Sequence, residues 1–120
     1  MINRTALAAA RPGLVLVNTA RGMLVDLDAL HEAMREGRVA AAGLDVLPHE
    51  PGDTAHPLIA AWRAGEPWIA GRLSLSPHAA FYSPAALEDM RRKSIEIVLD
   101  YLRTGDRRWC VNAEHLPRPG

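Results

Sequence analysis

Three short apolar segments, separated by stretches with helical character, constrain the fold of this chain more than any other feature. They are Leu14–Asn18, residues 39–46 and residues 73–76. The first is apolar and β-branched without alternation, which is typical of a strand covered on both faces. Strands that alternate with helices indicate βαβ units around a parallel sheet. The sequence therefore predicts an α/β fold.

The segments between these strands have recognisable helix signals. Helices are predicted over residues 5–10, about 26–36 and about 58–63. Asp26 is suited to cap the second of these helices. A long helix is predicted to begin at Ser83-Pro84 and to stop at Gly105. Its buried stripe is predicted to comprise Leu87, Met90, Ile97, Val98, Tyr101 and Leu102.

The predicted sheet is incomplete as an independent domain. An open α/β sheet normally has about five or six strands, and three strands leave an apolar edge unpaired. The sequence also contains no G-x-G-x-x-G, the turn that holds a dinucleotide pyrophosphate. The chain is therefore expected to be half of a domain.

Composition excludes several classes of protein. Fourteen Lys and Arg balance fourteen Asp and Glu, so no basic field recruits nucleic acid or a membrane surface. No apolar run approaches the ~20 residues that span a bilayer. The single cysteine, Cys110, cannot form an internal disulfide and fits a reducing compartment. We expect a soluble, cytoplasmic protein.

Residues suited to catalysis follow each predicted strand. They are Arg21, then Asp45 and Glu50, and finally His78. In an open parallel sheet, ligands bind outside the carboxyl ends of the strands. If the three strands are neighbours, these side chains converge on one crevice.

Together these residue types suit the reduction of a 2-oxoacid. The guanidinium of Arg21 can grip a carboxylate, although the same arginine could cap the strand or pair with Asp26. His78 can pass a proton at neutral pH, although a lone histidine here could be structural. A hydrogen bond from the imidazole to the Glu50 carboxylate would favour the charged form of the ring. Asp45 could accept a hydrogen bond from a nicotinamide carboxamide.

A metal site is the competing interpretation. His49, Glu50, Asp53 and His56 lie in one predicted loop. Their spacing is not the H-E-x-x-H of a zinc helix, and the intervening prolines and glycine prevent such a helix. We therefore predict no metal ligand in this chain.

Three ordered motifs resemble signatures of the D-isomer-specific 2-hydroxyacid dehydrogenases. They are residues 16–26 (LVNTARGMLVD), residues 43–46 (GLDV) with Glu50-Pro51 behind them, and residues 76–80 (SPHAA). The resemblance implies that Arg21 binds the substrate carboxylate, that His78 is the acid/base and that Glu50 is its partner. It also implies NAD as cofactor, with contacts from Thr19, Ala20, Arg21, Asp45 and His78.

The resemblance also implies the fold and the assembly. Residues 1–112 correspond to the second half of a Rossmann-type, doubly wound NAD-binding domain, including the helix that returns to the substrate domain. Residues 113–120 are expected to be a flexible tail. Family members are longer and dimerise through the cofactor domain, so we expect a C-terminal fragment of a homodimer that has little activity in isolation.

Within this family, residues 78–83 and 110–112 look most like the C-terminal binding protein branch, whose animal members are NAD-responsive corepressors. That branch usually has tryptophan where this chain has Phe81. The alternatives to an enzyme are therefore an NAD(H)-sensing interaction module and an inactive truncated remnant.

Overall fold

The computed structural model describes residues 1–50 and 55–116, and the chain divides into two compact units, Met1–Ala80 and Phe81–Gly120. The first unit contains α1 (Arg4–Ala9), β1 (Leu14–Asn18), α2 (Leu27–Arg35), β2 (Val39–Leu44), α3 (Pro57–Ala64) and β3 (Leu73–Leu75). A short 3-10 turn, Gly22–Leu24, lies between β1 and α2. The second unit contains α4 (Pro84–Thr104) and a 3-10 turn, Ala113–His115.

The three strands form one parallel sheet in the order β1-β2-β3. Asn18 lies beside Leu44, and Leu44 lies beside Leu75. Because these residues end their strands, the carboxyl ends of all three strands lie at the same level. The predicted α/β fold with a parallel sheet is confirmed.

The local helix signals act as the sequence predicts. The Asp26 carboxylate accepts a hydrogen bond of 3.0 Å from the Ala29 N–H and caps α2. The Ser83 hydroxyl accepts one of 3.1 Å from the Ala86 N–H and caps α4. Gly105, at φ 68°, ends α4 in the left-handed conformation that glycine adopts without strain.

The prediction that β1 is covered on both faces is wrong for this structure. Leu14 and Leu16 pack against the core, but Val15 and Val17 are 63% and 68% exposed. The core is built from α1, α2, α3 and the strands, and its main members are Leu7, Leu30, Met34, Val39, Leu44, Leu58, Ile69 and Leu73. The covering helices α1 and α2 therefore lie on only one face of β1.

The predicted buried stripe of α4 is also wrong for this structure. No residue of α4 is buried, and Met90 and Leu102 are 46% and 72% exposed. In the described part of the second unit, residues of the segment 106–116 lie beside the helix. The segment leaves an apolar groove of about 380 Å³ between Tyr101 and Trp109.

Two further predictions concern the extent of the domain, residues 1–112, and the tail, residues 113–120. Residues 117–120 lie outside the described residues, so the flexible tail stays a prediction, as does the domain extent 1–112.

Among the helices in the described part of the chain, none has the length and apolar character needed to cross a membrane.

Arg72, just before β3, fastens the amino ends of the strands to the helical layer. Its guanidinium donates four hydrogen bonds of 2.7–2.9 Å, and the acceptors are the carbonyls of Met34, Val39, Ala40 and Trp68. Charge-assisted bonds of this kind are among the stronger ones in proteins. One side chain thereby joins the end of α2, the start of β2 and the turn before β3.

A histidine cluster lies between α2 and α3. The His31 ring is tilted against the Trp68 ring with 5.4 Å between their centroids, and 6.5 Å separates it from the His56 ring. The Nδ1 atom of His56 accepts from the Leu58 N–H at 3.2 Å, while its Nε2 lies 3.1 Å from the Asp28 carboxylate. Burial lowers the pKa of His31 below 6.5, helped by the charges of Arg35 and His56 and opposed by Asp28 and Glu66.

Replacing Arg72 tests how strongly its guanidinium fastens the first unit. We expect Arg72→Met to lower the free energy of unfolding by about 2–3 kcal/mol, because four carbonyls lose a charged donor. Urea denaturation of the 120-residue chain measures this change. The matched control is Arg63→Met on the exposed surface of α3, for which we expect a change within about 0.5 kcal/mol. Equal effects of the two substitutions would show that the Arg72 bonds contribute nothing specific.

The histidine cluster predicts a pH-dependent stability. Because the pKa of His31 is lower in the folded chain, the unfolded chain binds more protons below pH 6.5. Stability should therefore decline as the pH falls through 6.5 towards the lowered value. Urea denaturation from about pH 8 to about pH 5 should show a shallower decline for His31→Gln than for the unmodified chain. Identical pH profiles would contradict the assignment.

Candidate active site

The loop after β1 is shaped by the side chain of Asn18. This residue is buried, and its Oδ1 accepts from the Ala20 N–H at 3.1 Å while its Nδ2 donates to the Arg21 carbonyl at 2.9 Å. The Arg21 guanidinium donates to the Ala20 carbonyl at 2.7 Å. Thr19, Ala20 and Arg21 are all exposed on this loop. The amide of Asn18 therefore fixes the backbone that presents Arg21.

Gly22 allows this loop to touch the loop after β2. A Cβ atom at position 22 would lie 2.0 Å from the carbonyl carbon of Leu47 and 2.4 Å from the nitrogen of Pro48. No side chain fits at those distances, so only glycine permits the approach. The contact places Arg21 beside the segment that leads to Glu50.

Glu50 and His78 form the pair that the sequence predicts. Glu50 Oε2 lies 2.7 Å from His78 Nδ1, and Glu50 Oε1 accepts from the Leu47 N–H at 3.1 Å. The side chains are 38% and 46% exposed. The His78 hydrogen bond, followed by the Leu47 N–H, lowers the pKa of Glu50 below its ordinary value, so Glu50 is a carboxylate at neutral pH.

Arg21, Glu50 and His78 line one cavity of about 170 Å³. Its other lining residues are Gly22, Met23, Val46, Leu47 and Pro48. The cavity therefore combines an arginine, a histidine–carboxylate pair and an apolar wall. This convergence is what the three strand ends predict.

Asp45 occupies a different position from the other site residues. It is only 5% exposed, and its Oδ1 accepts from the Ser76 hydroxyl at 2.5 Å and the Ala79 N–H at 2.9 Å. Its Oδ2 accepts from the Ala80 N–H at 2.9 Å. The Ser76 hydroxyl, followed by the Ala80 amide, lowers the pKa of Asp45. In this structure the Asp45 carboxylate holds the loop that carries His78, a role the sequence analysis did not predict.

Three residues that shape the site were not predicted from the sequence. Asn18 and Ser76 are short polar side chains at the ends of apolar strands, a position at which such side chains commonly bond to nearby backbone. That signal was available for both. The need for Gly22 depends on a loop more than twenty residues away, and no local pattern indicates it.

The candidate metal ligands do not come together in the described residues. His56 caps α3 and contacts Asp28, while Glu50 pairs with His78. Asp53 and the motif residue Pro51 lie outside the described residues. Within residues 1–50 and 55–116, no group of three potential ligands could hold a metal ion.

The close approach at Gly22 predicts a costly substitution. Gly22→Ala must push the two loops apart, and we expect the free energy of unfolding to decrease by about 1–3 kcal/mol. NMR spectra of the variant should show shifted amide signals for Leu47 and Glu50. Gly43→Ala is the control, since its Cβ would meet only Val17, at an ordinary 3.9 Å. Equal stability of the two variants would contradict the close approach.

Comparison with known proteins gives a consistent result. Residues 1–80 match the family described as "D-isomer specific 2-hydroxyacid dehydrogenase, NAD binding domain". The D-lactate dehydrogenase of Treponema pallidum is 33% identical over 107 residues, which are 86% of this chain and 32% of that protein. This chain thus spans about a third of the length of such relatives.

Solved structures agree with this match. The glyoxylate reductase from Paecilomyes thermophila superposes with a TM-score of 0.71 at 30% identity, covering 88% of this chain and 29% of that one. The NAD-complexed D-isomer specific 2-hydroxyacid dehydrogenase from Lactobacillus delbrueckii superposes with a TM-score of 0.66 at 31% identity, covering 93% of this chain and 35% of that one.

The relatives reported above are named as dehydrogenases and reductases. Their names do not favour the alternative of an NAD(H)-sensing interaction module. Similarity to the corepressor branch stays a prediction. On its matched residues and its fold, the chain belongs to the D-isomer specific 2-hydroxyacid dehydrogenases.

Proposed function

We propose that this chain carries the substrate-binding and proton-transfer residues of an NAD-dependent dehydrogenase that interconverts 2-oxo acids and 2-hydroxy acids. The observation that carries the proposal is the cavity shared by Arg21, Glu50 and His78. Membership of the dehydrogenase family supports it. Because the chain spans about a third of its relatives' length, the activity is proposed for a dehydrogenase that contains this segment.

Arg21 would bind the substrate carboxylate. Its guanidinium lines the cavity, and its planar fork of donors matches the two oxygens of a carboxylate. The Asn18 amide and the contact at Gly22 hold the backbone on both sides of it. A substrate bound in this way would lie in the cavity that His78 also lines.

His78 would act as the acid in reduction and as the base in oxidation. With Nδ1 bonded to Glu50, the ring exchanges its proton with the substrate oxygen through Nε2. The hydrogen bond to the Glu50 carboxylate holds the ring in place while the proton moves at Nε2. Thr19, Ala20 and Asp45 would hold the nicotinamide of NADH, and the cofactor would supply a hydride for C2 of the 2-oxo acid. The proton from His78 completes the hydroxyl group, so the product is the 2-hydroxy acid.

The residues near the cavity fit the nicotinamide end of the cofactor. Thr19 and Ala20 form an exposed, small-residue edge beside Arg21. Among the described residues, Asp45 Oδ2 accepts one hydrogen bond and so retains acceptor capacity for a carboxamide N–H. The sequence has no G-x-G-x-x-G, so residues beyond this segment would hold the pyrophosphate.

The proposal extends to partners and location. The cavity volume of about 170 Å³ suits a small 2-oxo acid. We propose a homodimer in the cytoplasm, as the family resemblance and the single cysteine imply. The net charge of zero gives no support for a nucleic-acid or membrane partner.

A hybrid dehydrogenase tests the proposed chemistry. In it, residues 1–112 of this chain replace the matching segment of the Treponema pallidum D-lactate dehydrogenase. We expect the hybrid to oxidise NADH in the presence of a 2-oxo acid, and His78→Gln to lower kcat by about 10²–10⁴-fold. NADH binding, followed by fluorescence, should change little because the nicotinamide loop is untouched.

His49→Gln is the matched control in the same hybrid. His49 is exposed and lies one residue before Glu50, but it does not line the cavity. We expect kcat within twofold of the unmodified hybrid. A hybrid that binds NADH without reducing any 2-oxo acid would contradict the proposal. Loss of NADH binding in His78→Gln would assign that residue a structural role.

A further inference from the structure

His78 has an unusual backbone for a residue with a side chain. Its φ is 52°, in the left-handed region, and it is the one non-glycine residue with positive φ in the part of the chain that the structure describes. Non-glycine residues adopt this conformation uncommonly, and although histidine does so more often than most, it still costs free energy that the surroundings must offset. Some interaction must therefore hold the 76–80 segment in place.

The Asp45 carboxylate accepts hydrogen bonds from residues on both sides of His78. Before it, the Ser76 hydroxyl donates to the carboxylate, and after it the Ala79 and Ala80 N–H groups do the same. The His78 N–H itself donates to the Asp45 carbonyl at 2.9 Å. Successive backbone N–H groups in a turn form a concavity that binds anions. Here the bound anion is a carboxylate of the same chain.

We propose that Asp45 is a positioning residue that imposes the left-handed conformation of His78 and so places its imidazole against Glu50. The resemblance assigns Asp45 only a contact with nicotinamide, whereas this role acts on the acid/base residue through its backbone. The proposal rests on the proposed function for its catalytic meaning. Its geometry concerns the chain alone.

The charge and shape of Asp45 both matter to this role. The carboxylate accepts three hydrogen bonds from the 76–80 segment. An asparagine has an NH₂ group in place of one oxygen, and that group cannot accept from an N–H. Asp45→Asn therefore breaks at least one of the three bonds while preserving volume. The His78 turn would relax, and its ring would move away from Glu50.

NMR of the 120-residue chain tests the proposal without cofactor or substrate. In Asp45→Asn, we expect the Ala79 and Ala80 amides to exchange with water about tenfold faster. We also expect Glu50→Gln alone to shift the His78 imidazole signals. The same substitution should cause no further shift when it is added to Asp45→Asn. Asp26→Asn, at the cap of α2, is the matched control and should leave both measurements unchanged.

Ser76→Ala gives a second route in case Asp45→Asn prevents folding. It removes one donor and keeps both backbone amides, so we expect Ala79 exchange to accelerate several-fold and Ser76→Thr to restore it. Unchanged amide exchange in a folded Asp45→Asn chain, or in Ser76→Ala where the former does not fold, overturns the proposal. Because these measurements involve no turnover, they are independent of the outcome with the hybrid dehydrogenase.

Discussion

The common level at which the three parallel strands end is the constraint on which the site depends. Asn18, Leu44 and Leu75 lie side by side in the sheet, so the loops that follow them start from one line. Each loop then needs only a few residues to reach its neighbours. A slip of one strand by a single residue would turn its side chains to the other face and separate the three loops.

Two carboxylates at this edge act differently because their surroundings differ. Asp45 is buried and bonds to backbone amides, while the half-exposed Glu50 bonds to an imidazole. Both pKa values are lowered, so both groups carry charge at neutral pH. The Asp45 carboxylate binds backbone amides of the segment that carries His78, and the Glu50 carboxylate binds the His78 ring. The same carboxylate chemistry thereby fixes backbone geometry in one place and, in the proposed function, assists proton transfer in the other.

Local signals predicted the helices, the strands and the convergence of the candidate site residues, but they did not predict burial. The caps at Asp26 and Ser83 depend on bonds within one turn, and the sequence shows them directly. The exposure of Val15 and the apolar stripe of α4 depend on which other segments cover them, which no local pattern contains. The close approach at Gly22 has the same non-local origin. Pairing of Glu50 with His78 was predictable because both follow predicted strands of one parallel sheet and because a carboxylate and an imidazole form a hydrogen bond.

The position of Arg72 has a consequence for how such a segment can diverge. Its bonds join the layers at the amino ends of the strands, opposite the edge that carries Arg21 and His78. Loops at the carboxyl edge can then vary in length and composition without loosening the attachment of helix to sheet. In the proposed dehydrogenase, substrate preference could therefore change at the carboxyl edge while the bonds of Arg72 preserve the architecture. Arg72 therefore allows the loops at the carboxyl edge to change in sequence while the fold is kept.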